Sequence, residues 1–306
     1  MYTLRSLAVF IVTLLALILT FSSAHADFYV IAGGGKKVGK EIKQLPYTIT
    51  EPGFYYITKN LPCAAGSHGI TIQSSEVTID LMGFSLVGPG GTGAYHGIYA
   101  GDPVENMEIR NGNIKDFQGI GCYIYSIESK GCRIVNIKTS HNGDSGIYLR
   151  GDSNIVKDCI SFSNGYFGIY VGHAATVTGN SCHGNVDHGI RVGYEAVVQG
   201  NSCYENEKYG IYTGHGCSIV QNSCRSNTSG GILAGTGSSV IGNACYSNTT
   251  YGINLGSNCY VGQNTCYQNG TNMDTCSNCT FDVNHAPASG SSAVHSEETL
   301  NPDEPK

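Results

Sequence analysis

Short apolar runs of three or four residues, cut by Gly and Asn, recur along this chain, and from residue 166 to residue 270 they return every 21 residues without slippage. Gly168, Gly189, Gly210, Gly231 and Gly252 each precede an Ile, and Val177, Val198, Ile219, Val240 and Val261 form a second column. Cys182, Cys203, Cys224, Cys245 and Cys266 form a third. Asn185, Asn206, Asn227, Asn248 and Asn269 mark one turn, and Gly172, Gly193, Gly214, Gly235 and Gly256 another. A helix needs apolar residues three and four apart over ten or more positions, whereas GIYV and AVVQ alternate between two sides over four. A fixed period in the twenties is the mark of a solenoid. The expectation is about three short strands per copy, each stacked on its equivalent in the next coil at about 4.8 Å, making an all-β parallel β-helix. Identical residues then form ladders, and an Asn at a turn tolerates left-handed backbone and bonds to the next Asn.

Earlier Gly-Ile marks at Gly69, Gly97, Gly119 and Gly146 are spaced less evenly, so that half carries inserted loops, the most obvious being GPGGTGAYH at 88–96. The nine marks imply about nine or ten coils and a rod roughly 40 Å long. Residues 62–270 are assigned to the β-helix, with an N-terminal arm and cap at 27–61 and a C-terminal cap at 271–288. The polar, acidic segment 289–306 is expected to be disordered. Residues 1–26 read as a secretory signal: Arg5 precedes LAVFIVTLLALILTF, and Ala24-His25-Ala26 offers a small-residue cleavage site. Cleavage near Ala26 predicts a secreted or periplasmic protein with no membrane span in the mature chain.

The whole chain carries a formal charge of -6. Losing the leader removes Arg5 and no acid, leaving -7. An acidic chain without Trp is not the profile of a nucleic-acid binder. Ladder neighbours have parallel Cβ atoms about 4.8 Å apart, wider than the roughly 3.8 Å a disulfide prefers. The column from Cys182 to Cys266 is therefore read as buried apolar packing. Cys217 and Cys259 share another column two coils apart, too far to pair; the C-terminal Cys276 and Cys279 are the candidate bridge or clip. Asn227, Asn248 and Asn269 lie in N-x-S/T triplets, but the turn ladder already accounts for them; Asn278 is the fourth.

The unit GIYVGHAATVTGNSC, the opening DFYVI with PYTITEPGFYYITKNL, the strings VTIDLMGFSLVG and IRNGNI, and the ending SNCTFDVNHAP resemble exported bacterial right-handed parallel β-helix repeat proteins. These form the pectin-lyase-like group, which includes pectate-lyase-like enzymes, alginate epimerases and the NosD-type accessory proteins of copper enzymes. The resemblance spans about residues 27–285 and implies the right-handed coil. It also implies that ligands lie along the outer face of the Gly-Ile strand. The Asp-Pro-His-Asp signature of the alginate epimerases has no copy; the nearest string, Val186-Asp187-His188-Gly189, departs from it.

Within GIYV the Ile and Val share one side, so the residue between them faces outward. That places Tyr148, Tyr170, Arg191, Tyr212, Leu233 and Asn254 in one column, with Tyr99 farther up. Asp152, His173, Tyr194, His215, Thr236 and Ser257 follow the turn Gly in a second, while Asp187, His188, Lys208 and Tyr209 precede the strand. A bound polysaccharide would stack sugar rings on Tyr170 and Tyr212, with Tyr148 and Tyr194 in the same substrate-binding set and Arg191 on a carboxylate or hydroxyls. His173, His188 and His215 are the candidates for proton exchange, and Asp187 for orienting a His. No cofactor or metal site is expected, although calcium is admitted as a bridge from Asp152 or Asp187 to an anionic glycan. The first reading is a monomer that binds polysaccharide; catalysis stays open, and would be that of a lyase, epimerase or glycoside hydrolase. The alternative is a non-catalytic envelope scaffold of the NosD-like kind, in which the tyrosines are ordinary strand residues and the histidines solvated turns.

Overall fold

The computed structural model describes residues 39–287 apart from residue 92. The expected leader, the first part of the arm and the acidic tail lie outside the described residues. Among the described residues all regular structure is strand. One copy supplies Ile169–Val171, Thr176–Thr178 and Ser181–His183, and the next supplies Ile190–Val192, Val197–Gln199 and Ser202–Tyr204. They pair in parallel with Ile169 opposite Ile190, Val177 opposite Val198 and Cys182 opposite Cys203. Twenty-one residues thus make one coil.

The coil has three walls. The Gly-Ile strands form the first, an 11-stranded sheet, and the remaining strands belong to a 20-stranded sheet. The larger sheet is two walls joined where a long strand turns the corner: Arg133–Ser140 pairs with Ile155–Lys157 on the second wall and with Ile160–Phe162 on the third.

Eleven strands in the first wall mean eleven coils, not nine or ten. Tyr47–Ile49 and Thr271–Met273 are coil strands that carry no Gly-Ile pair, so counting that pair misses them. The fourth strand is Cys122–Ile124, with Cys122 opposite both Ile98 and Ile147. Its true mark is Gly121-Cys122, two residues beyond Gly119. The glycine is required because coils approach closely there: a Cβ at Gly121 would lie 2.6 Å from the Gly146 carbonyl, as one at Gly168 would lie 2.5 Å from that of Gly189. The residue after it needs only to be small or apolar and inward-facing, so Cys serves as well as Ile.

The Val, Ile and Cys columns are fully buried. Burial pushes the thiols of Cys203, Cys224 and Cys245 far above their ordinary range, so these three stay protonated. Cys276 and Cys279 are disulfide-bonded, with Cα atoms 5.7 Å apart.

Two asparagine ladders run along the core margin. In the expected one, Asn206 donates from Nδ2 to Asn227 Oδ1 at 3.0 Å and to the Cys182 carbonyl at 3.1 Å, while its Oδ1 accepts from Asn185. The second, through Asn180, Asn201, Asn222, Asn243, Asn264 and Asn284, uses the same bonds. The ladder amides are not themselves the left-handed residues. That conformation falls on the residue before each Asn from Asn180 to Asn269, such as Glu205, Gln221 and Ser226 with φ of 56°, 55° and 54°. Each Asn is instead fixed by bonds to the coils on either side, for which its amide supplies two N–H donors and an acceptor oxygen at once.

Candidate functional site

On the first wall each strand alternates: Ile169 and Val171 are buried and Tyr170 between them faces outward. Parallel register lines up Tyr99, Tyr123, Tyr148, Tyr170, Arg191, Tyr212, Leu233 and Asn254. Tyr123 joins the column because its coil starts at Gly121. The Tyr148 and Tyr170 rings stack at 4.2 Å. The Arg191 guanidinium carbon lies 5.8 Å from the Tyr170 ring centre, 5.2 Å from Tyr212 and 5.4 Å from Phe167. Among the described residues no carboxylate pairs with it. Aromatic rings hold this cation in place and leave its hydrogen-bond donors unspent. The same stacking occupies the faces of Tyr170, so that ring offers its edge and hydroxyl rather than a platform for a sugar.

Beyond the strand the chain turns at Gly193, Gly214 and Gly235. A Cβ at Gly235 would sit 2.3 Å from the Gly214 carbonyl oxygen, so the coils meet here backbone to backbone and leave a low floor. On its far side stand His173, Tyr194 and His215, with rings 4.7 and 5.1 Å apart. The space between the two columns is a groove of about 440 Å³ lined by Tyr170, Arg191 and Tyr212 on one side and His173, Tyr194 and His215 on the other. Asp152 receives the His173 N–H at 3.2 Å. His173 Nδ1 accepts the Tyr194 N–H at 2.9 Å and His215 Nδ1 that of Thr236 at 3.1 Å, so in both rings the neutral form carries its proton on Nε2.

Asp187 and His188 stand on the opposite flank, away from the groove. Asp187 is 2% exposed; it accepts the His188 N–H at 2.8 Å, lies 3.3 Å from His188 Nε2 and pairs with Lys208. His188 Nδ1 accepts the Tyr209 N–H at 3.1 Å. Burial lowers the His188 pKa to about 4, and the nearby Asp187 only partly opposes it. The imidazole is neutral at neutral pH, and the cluster is closed on itself. Of the nine candidates, six therefore line the groove. Asp187 and His188 do not, and Tyr148 contributes by stacking on Tyr170.

His68 and His96 repeat the His188 arrangement near the other end of this wall. Their Nδ1 atoms accept the N–H groups of His96 at 3.0 Å and Ile120 at 2.8 Å. His68 stacks on Tyr99 at 4.4 Å, and His96 meets Tyr123 at 4.8 Å. Burial, then the neighbouring His68, takes the His96 pKa down to about 4. A signal for this was present: His68, His96 and His188 each stand directly before a Gly-Ile pair. No group of three or more His, Cys, Asp or Glu among the described residues is placed to hold a metal.

Residues 47–196 match the family model described as a right handed beta helix region. The fold is that of a right-handed parallel β-helix. The A-module of mannuronan C-5 epimerase AlgE4 from Azotobacter vinelandii is similar in structure, with a TM-score of 0.58 and 14% identity over 77% of this chain and 87% of that one. A mutant of the periplasmic alginate epimerase AlgG aligns with a TM-score of 0.63 and 12% identity, covering 78% of this chain and 76% of that one. The enzymatically active domain of tailspike protein 2 from bacteriophage CBA120 aligns at 0.56 and 13%, covering 76% and 47%. At such identities the likeness is one of fold. No curated protein sequence matches the chain.

Proposed function

We propose that this β-helix binds a polysaccharide of the cell envelope or extracellular space in the groove of its first wall. The observation that carries the reading is Arg191, wedged among aromatic rings and unpaired among the described residues, on the rim of a 440 Å³ groove. Its guanidinium, the phenol groups of Tyr170, Tyr194 and Tyr212, and the imidazole edges of His173 and His215 supply donors and acceptors for sugar hydroxyls or a carboxylate. A mannuronan epimerase module and an alginate epimerase are built on the same architecture, which supports a glycan as the ligand class. If the bound chain is also processed, His173 and His215 are the proton carriers that face it. His188, buried and neutral, belongs to the wall. The leader-like residues 1–26 support export to the periplasm or beyond, which N-terminal sequencing of the mature protein at Asp27 tests.

The direct test is titration of the protein with neutral and uronate oligosaccharides, with and without calcium, read by calorimetry and by NMR of the sugar. Arg191→Ala should weaken binding by about tenfold or more, the loss of one charge-assisted contact. Absence of binding to any glycan of a broad panel at millimolar concentration would remove the proposal. New unsaturated or epimerised uronate in the same NMR spectra would extend it to catalysis.

A further inference from the structure

The third wall carries a second ordered column, unconnected with the groove. Parallel register stacks Phe162, His183, Tyr204, Arg225, Tyr246 and Tyr267 directly on one another. Phe162 and His183 lie 5.0 Å apart and within 12° of parallel, His183 and Tyr204 4.6 Å and 8°, and Tyr246 and Tyr267 5.4 Å and 6°. The Arg225 guanidinium sits 4.3 Å from the Tyr204 ring centre, and Lys138 Nζ caps Phe162 at 5.0 Å. The result is an aromatic rail spanning six coils, about 24 Å, with its ring edges turned outward. Beside it Ser181, Ser202 and Ser223 stand one above another, their hydroxyls bonded to no protein group among the described residues.

Charge on this wall is segregated. From Lys138 to Tyr267 its outward strand positions include Lys138 and Arg225 and no Asp or Glu, in a chain whose net charge is -6. The nearest acid, Glu205, lies on the adjoining turn, 3.7 Å from Arg225 and mostly exposed. Around His183, which burial makes less basic, Glu205 acts in the opposite sense while Lys138 and Arg225 both disfavour a further proton. An acidic protein that keeps the outward strand positions of one wall free of acids, and sets its two cations against aromatic rings there, presents a surface complementary to an extended anion.

We propose that the third wall is a second polysaccharide track, taking a carboxylate-bearing chain laid along the rail. Lys138 and Arg225 bind its carboxylates, and the serine hydroxyls and ring edges meet the sugars. The coil repeat of about 4.8 Å is close to the advance of one residue in an extended pyranose chain, so equivalent groups recur in step with the ligand. Nothing in this assignment depends on the groove. The two tracks lie on different walls, and one molecule would hold two strands of a matrix at once.

The test uses the full mature chain and polygalacturonate, with neutral dextran as the uncharged control. Lys138→Ala combined with Arg225→Ala should weaken polygalacturonate binding about tenfold. Ser202→Glu, which places an acid beside the rail without touching the core, should do the same. Both losses should appear equally in an Arg191→Ala background, because changes on separate walls add. Binding through the rail should also fall as salt rises, and dextran binding should not respond to any rail variant. Unchanged polygalacturonate affinity in Ser202→Glu, or complete loss of binding from Arg191→Ala alone, would overturn the second track. Loss in the rail variants with no effect of Arg191→Ala would sustain it while removing the groove proposal.

Discussion

Replacing Asn206 tests the ladder on which both walls depend. The side chain is 1% exposed and makes four hydrogen bonds: from Nδ2 to Asn227 Oδ1 and the Cys182 carbonyl, and into Oδ1 from both nitrogens of Asn185. In Asn206→Ala, Asn185 Nδ2 keeps the Ser161 carbonyl at 3.0 Å and Asn227 Oδ1 keeps the Asn206 N–H at 3.1 Å. The buried Asn185 N–H, however, loses its acceptor. An orphaned buried donor costs about 1–3 kcal/mol and each of the three other lost bonds about 1 more, so the expected loss is roughly 4–6 kcal/mol, read as a lower urea midpoint by circular dichroism. Asn206→Asp separates hydrogen bonding from size. It still accepts from Asn185, but a carboxylate oxygen then faces Asn227 Oδ1 across the 3.0 Å gap, acceptor against acceptor. Its pKa is raised in the folded state, so the variant should be weaker than Asn206→Ala at neutral pH. It should recover as the pH falls below that raised pKa, where the protonated acid donates again. An Asn206→Ala cost below about 1 kcal/mol, or an Asn206→Asp variant as stable as wild type at neutral pH, would refute the ladder as a source of stability.

Two further outcomes follow from the first wall. His188 has an ordinary value of 6.5 and is held at about 4 by burial, so the unfolded chain takes up a proton between those limits that the folded one refuses. Its contribution is present above pH 6.5 and is lost as the pH falls toward 4, up to about 3 kcal/mol; His188→Gln should flatten that acid limb in pH-dependent unfolding, and an unchanged limb would contradict the neutral assignment. In Gly214→Ala the new Cβ would lie 2.5 Å from Tyr194 Cδ1 and 2.8 Å from the Gly193 backbone. The Tyr194 ring must leave its stack, at about 1–3 kcal/mol, and glycan titration should show weaker binding in the groove; full affinity with full stability would show that the floor is not tight.

The solenoid was readable in the sequence because a parallel coil places the same environment on the same residue every 21 positions, so Val177, Cys182 and Asn185 each announce a column. The two walls of the groove were readable for the same reason. What escaped lies where environment and residue type separate. Cys122 fills an inward position held elsewhere by Ile, which moved that coil's mark to Gly119 and dropped Tyr123 from the column. The Asn180 ladder was in plain view, five asparagines 21 apart before Ser or Thr or Ala, but its bonds resemble those of any polar turn until the coils are stacked. The expectation that Tyr170 would offer its ring face to a sugar failed for a geometric reason. Neighbouring coils are close enough that outward rings stack on each other first. The sequence did place Asp187 and His188 before the strand and His173 and His215 after it, but did not reveal that the first pair is buried and closed on itself.

Both asparagine ladders have a direction. Every amide gives its proton to the following coil and receives one from the preceding coil, so the side-chain dipoles add head to tail along the molecule, positive toward the C-terminal end, much as peptide dipoles do in a helix. Each row finishes on a residue of the terminal segment: Asn269 on Asn272, whose amide reaches the Pro287 carbonyl, and Asn264 on Asn284, which turns back to Val261. The last segment therefore acts as an electrical terminator. A chain shortened after Gly270 would end in two open donors at the positive pole, an invitation to any acceptor-rich edge that meets it.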